Sequence, residues 1–77
     1  MNIYGVCNQF DNEIFIKQCK ALEKRIPALE KQELLHDVDD SKTQIYKLGC
    51  AQISVHNSRY LNEVYIESGI DLTKFFK

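Results

Sequence analysis

From residue 43 to residue 67 the apolar positions keep one parity through two turns, a period-two pattern that gives three successive strands a shared buried face. With Gly49 and Cys50 as a two-residue hairpin loop, Leu48 stands opposite Ala51, Tyr46 opposite Ile53 and Gln44 opposite Val55. A second loop of Asn57, Ser58, Arg59 and Tyr60 sets His56 against Leu61, Ile53 against Val64 and Ala51 against Ile66. A slip of one residue would turn every side chain to the other face, so agreement across both loops predicts an antiparallel three-stranded meander over about 43–48, 51–56 and 61–67.

Upstream the period lengthens. Phe15, Cys19, Leu22 and Ile26 recur at helical spacing, which predicts a helix over about 9–26, capped by Asn8 or Asp11, with Lys17, Lys20 and Lys24 on its opposite side. Pro27 lacks an amide hydrogen and clashes with the preceding turn, so the helix ends near Arg25 and a second helix starts, over about 28–37, docked by Leu34, Leu35 and Val38. Ile3, Tyr4 and Val6 predict a short N-terminal edge strand. Asp71 caps a final helical turn holding Leu72, Phe75 and Phe76.

The expected architecture is therefore α+β, a single small domain over 1–77: N-terminal strand, one or two helices, three-stranded meander, C-terminal turn. Helix 1 covers the sheet face carrying Tyr46, Ile53, Val55, Val64 and Ile66. The reverse face stays open, with Ile45, Leu61 and Tyr65 among its polar residues, and an apolar patch of that kind marks an interface.

Seventy-seven residues bury only about 60% of their unfolded surface, so a partner or a dimer would add stability. A net charge of −1 excludes the strongly basic balance of a general nucleic-acid binder, but the charges are segregated. Lys17, Lys20, Lys24 and Arg25 surround Glu23 alone, and then Glu30, Glu33, Asp37, Asp39 and Asp40 surround Lys31 alone. No apolar run approaches the roughly 18 residues of a membrane span, and the first seven residues lack signal-peptide character, so a cytoplasmic location is expected. Cys7, Cys19 and Cys50 cannot all pair with one another and show no C-x-x-C spacing, which points to reduced thiols.

Chemistry is sparse. The three glycines are isolated, so no phosphate-cradling loop exists, and His36 with Asp37, Asp39 and Asp40 fits no metal loop. No cofactor or metal is expected. A catalytic thiol would need a base within hydrogen-bond reach and a substrate pocket, and Cys19 lies on the core stripe. The expectation by elimination is a non-enzymatic protein-binding module, of the kind of a small inhibitor or immunity-type protein that blocks a functional surface of a larger, nucleic-acid-processing partner. Its contact residues would be Glu30, Glu33, Asp37, Asp39, Asp40, Arg59, Tyr60 and Tyr65, the carboxylates meeting a basic surface and Arg59 and Tyr60 being hot-spot residue types. The alternatives are a small nucleic-acid-associated regulator acting through Lys17, Lys20, Lys24 and Arg25, and a structural homodimer through the open face or an edge strand.

Overall fold

A computed structural model describes residues 2–73. Along the chain run β1 (Asn2–Cys7), α1 (Asn12–Arg25), β2 (Glu30–His36), β3 (Lys42–Leu48), β4 (Ala51–Ser58) and β5 (Glu63–Ser68). The five strands form one antiparallel sheet in the order β1-β5-β4-β3-β2, with α1 packed on one face. β1 and β2 thus lie at opposite edges, and α1 carries the chain back across the three strands between them.

Of the two caps the sequence offers, Asn8 and Asp11, the helix uses Asp11 and so starts at Asn12 rather than near residue 9. Asp11 is extended (φ −151°, ψ 109°) and its Oδ1 accepts the Ile14 N–H at 3.1 Å, satisfying one of the orphan donors of the first turn. Phe15, Cys19, Leu22 and Ile26 are buried against Tyr46, Ile53, Val55, Ile66 and Leu72. Burial of each large apolar side chain contributes about 1.5–3 kcal/mol, so this seam is the main source of stability. No helix among the described residues is long and apolar enough to cross a membrane.

The β3–β4 hairpin has the expected register: Leu48 pairs Ala51, Tyr46 pairs Ile53 and Gln44 pairs Val55, and the turn opens on Gly49 at φ +62°. The β4–β5 hairpin keeps the expected faces but not the expected register. Ile53 pairs Ser68 rather than Val64, and Val55 pairs Ile66, a slip of four residues. β4 runs on to Ser58, and Asn57, expected in the loop, is fully buried. Its Oδ1 accepts the Asp11 N–H at 3.1 Å, so a polar side chain is needed inside to satisfy the backbone at the helix entrance. The loop is accordingly residues 59–62, with Asn62 in the left-handed region at φ 53°, and Leu61 sits at the tip instead of on the open face.

The second helix does not form. Residues 30–36 are an edge strand paired to β3, despite a run of Glu, Lys, Gln and Leu that favours helix. Helix propensity is worth tenths of a kcal/mol per residue, whereas the free edge of β3 presents a full row of unpaired N–H and C=O groups. The chain returns through a tight turn in which the Asp37 N–H donates to the Ser41 carbonyl at 2.8 Å and the Asp40 N–H to the Asp37 carbonyl at 3.2 Å, with Asp40 at φ 72°. Aspartate tolerates that conformation better than most side chains.

Both edges are bulged. β2 carries an extra residue between Lys31 and Leu34, whose freed carbonyls at Gln32 and Glu33 accept from the buried Gln44 Nε2 at 2.9 and 3.3 Å. β1 carries another between Gly5 and Cys7. A bulge interrupts each edge strand, and β2 also carries charged side chains, whereas β1 carries none and leaves Ile3 exposed. At the C-terminal end, Asp71 Oδ1 accepts the Thr73 N–H at 3.0 Å; the expected positions of Phe75 and Phe76 lie outside the described residues.

Candidate functional site

Register decides what meets at one end of the sheet. His36 pairs Lys42, Lys42 pairs Asn57, Ser58 pairs Glu63 and Cys7 pairs Val64, so the β2–β3 turn, the β4–β5 loop and the entry to α1 all gather there. Arg59 links them. Its N–H donates to Ser41 Oγ at 2.9 Å, its guanidinium lies 4.0 Å from Asp40 Oδ2, and its Cζ sits 5.4 Å from the centre of the Phe10 ring. The Phe10 N–H in turn donates to Asn62 Oδ1 at 2.9 Å.

Side-chain hydrogen bonds stiffen each tip internally. Asp37 Oδ1 accepts the Val38 N–H at 2.8 Å, Asp39 Oδ1 the Ser41 N–H at 3.0 Å, and Ser58 Oγ the Leu61 N–H at 3.0 Å. Hydrogen bonds from Ser41 hold the Asp39 carboxyl below its ordinary range, so it stays ionised well into acid. On this scaffold Val38 (102% exposed), Tyr60 (89%) and Leu61 (53%) project into solvent, bordered by Asp37, Asp39 and Asp40. Asp40 also has His36 Nε2 at 3.5 Å.

Five of the eight expected contact residues, Asp37, Asp39, Asp40, Arg59 and Tyr60, thus share one end of the molecule. The other three do not. Glu30 begins β2 at the far end, Glu33 lies at the β2 bulge, and Tyr65 lies on the uncovered sheet face. Phe10, Ser41 and Asn62, which hold the tips together, escaped the sequence reading because each acts through a contact more than 15 residues away. Val38, expected to help dock a second helix, stands exposed in the turn because residues 30–36 form a strand.

The uncovered face has its own polar centre. His56 stacks on Tyr65 with ring centres 4.6 Å apart, and its Nδ1 lies 3.0 Å from Thr43 Oγ1. Glu67 Oε1 approaches Nε2 to 3.1 Å but off the line of an N–H bond, so it acts as a charge rather than an acceptor. Burial lowers the His56 pKa, with Glu67 opposing, and burial raises that of Tyr65. Ser54 at the middle of this face is itself buried.

Lys17, Lys20, Lys24 and Arg25 are exposed on α1, and among the described residues none makes an ion pair. Cys7 is half-buried, Cys19 buried with its thiol pKa raised by desolvation, and Cys50 exposed; none is bonded. Among the described residues no three metal-ligating side chains converge. A groove of about 540 Å³ separates α1 from β1, floored by Tyr4, Val6, Ala21 and Ile66 with Arg25 at its rim. No family model, curated protein or solved structure matches the chain.

Proposed function

We propose that the chain is a non-enzymatic protein-binding module that presents the tied hairpin tips to a basic surface on a larger protein. The observation that carries the reading is the bridge from Arg59 to Ser41 and Asp40, which holds exposed Tyr60 and three aspartates on one prepared platform. Prior ordering matters because each side chain immobilised on association costs about 0.5–1.5 kcal/mol. Tyrosine offers a large amphipathic contact with few rotatable bonds, and the carboxylates steer a cationic partner and exclude acidic ones. A small inhibitor or immunity-type protein that occupies the phosphate-binding surface of a nucleic-acid enzyme has these requirements.

The test compares capture by the wild-type chain with capture by two variants, Asp37→Asn/Asp39→Asn/Asp40→Asn and Tyr60→Ala. A partner with a basic surface that is lost by both variants, yet kept by Lys17→Glu/Lys20→Glu/Lys24→Glu, supports the reading. Full retention by both tip variants would remove it.

A second reading, a nucleic-acid-associated regulator, is favoured by the four α1 cations, which carry no ion pair among the described residues. It requires the opposite outcome: salt-sensitive binding of single-stranded nucleic acid, abolished by the lysine reversals and indifferent to the tip variants.

A further inference from the structure

We propose that the uncovered sheet face is a docking surface for a second copy of this chain, giving a two-fold dimer with the helices outermost. The inference does not depend on the partner at the hairpin tips, which lie at the end of the sheet and stay clear of this face.

Size is the first argument. Five strands about 4.8 Å apart, each about seven residues long at about 3.3 Å per residue, make a face of about 550 Å². Two such faces together withdraw about 1,100 Å², above the roughly 1,000 Å² that a biological interface clears and in the small class that associates as concentration rises. The face is also prepared for cover: Thr43, Ile45, His56 and Tyr65 are already half-buried and Ser54 wholly so.

Complementarity selects the partner. The pairings set Leu35, Thr43, His56, Tyr65 and Gly5 in one row across β2, β3, β4, β5 and β1. A two-fold axis parallel to the strands places each β5 over the other copy's β3 and each β1 over the other's β2. Leu35 then meets Gly5 of the second copy and Thr43 meets Tyr65, large against small twice over. A Cβ at Gly5 would find nothing within 4 Å, so the space beside Gly5 is open within one chain. The same axis sets Glu67 over Ile45 of the second copy, with Lys47 the next side chain along that face, a diagonal opposite-charge pair. An axis perpendicular to the strands would instead set Glu63 against Glu67, like against like.

The experiment is sedimentation equilibrium of the full chain at neutral pH over rising concentration, with circular dichroism and urea unfolding on each variant. Wild type should approach twice the chain mass. Gly5→Arg fills the space opposite Leu35, its Cβ meets no atom of the single chain, and it should give the single-chain mass with an unchanged spectrum. Lys47→Glu should raise the dissociation constant about tenfold, and adding Glu67→Lys should restore it. Single-chain mass for wild type at every concentration, an undiminished Gly5→Arg dimer, or failure of the charge exchange to rescue would each overturn the proposal. So would a wild-type chain that stays single while Gly5→Arg loses a different protein partner.

Discussion

Ser41 Oγ accepts the backbone N–H of Arg59 at 2.9 Å, and this bond joins the tips of two hairpins that share no strand pairing at their turns. Removing the hydroxyl leaves a solvent-accessible donor, so Ser41→Ala should cost only about 0.5–1 kcal/mol in urea unfolding. Its effect on order is larger. Hydrogen exchange at the Arg59 amide should accelerate severalfold more than at Val55 in the core, and any tip partner should dissociate faster.

Asn57 should tolerate replacement far less well. It is fully buried on the helix side of β4, its Oδ1 accepts from Asp11, and its Nδ2 has no partner among the described residues. Asn57→Ala strands the Asp11 N–H beside the helix cap and should destabilise by about 1–3 kcal/mol. Asn57→Asp keeps the acceptor but buries a charge, so it should lose more stability at neutral pH than in mild acid, where the carboxyl is protonated. Urea midpoints at the two pH values distinguish these outcomes.

Tyr46 donates to Glu23 Oε2 at 2.6 Å, and Lys31 reaches the same carboxylate at 3.7 Å, so β3, α1 and β2 meet at one charge. Burial, then the bond to Glu23, drives the phenol pKa far above its ordinary 10.0. The raised value means the folded chain holds its proton where the unfolded chain releases one, so stability is intact below pH 10.0 and falls as pH rises beyond it. In a spectrophotometric titration Tyr46 should ionise only as the chain unfolds, and Tyr46→Phe should weaken that alkaline dependence.

His56 gives the complementary dependence in acid. Its folded pKa lies below the ordinary 6.5 because desolvation by its neighbours disfavours the imidazolium, and nearby Glu67 offsets this only in part. Thr43 and Tyr65, which flank the ring, carry no charge at neutral pH. A depressed value means the unfolded chain binds the proton first, so this contribution is complete above pH 6.5 and is lost as pH falls through the folded pKa. The urea midpoint should drop between pH 7 and pH 5, and His56→Gln should flatten that decline.

Periodicity alone was enough for much of this molecule. Alternation through β3, β4 and β5 assigned Tyr46, Ile53, Val55, Val64 and Ile66 to one buried face, and the Phe15–Cys19–Leu22–Ile26 stripe supplied its cover. These signals are local: a side chain's face follows from its parity or its turn of helix, and even a four-residue register slip preserves parity. Gly49 as turn was equally legible, because backbone geometry there demands few residue types, while the cap was narrowed to Asn8 or Asp11 for the same reason.

Pairing across distance was settled by tertiary structure. Whether Glu30–His36 became helix or strand depended on the vacant edge of β3, and no residue in that segment reports the vacancy. The place of Asn57 depended on an N–H forty-six residues earlier in the chain, and the platform around Arg59 depended on Phe10 from the entry to α1 meeting Asp40 and Ser41 from the β2–β3 turn. Sequence patterning records how each segment divides between water and core, whereas hydrogen-bond satisfaction belongs to the assembled sheet, and that is why only the folded chain reveals which surfaces stand ready for a partner.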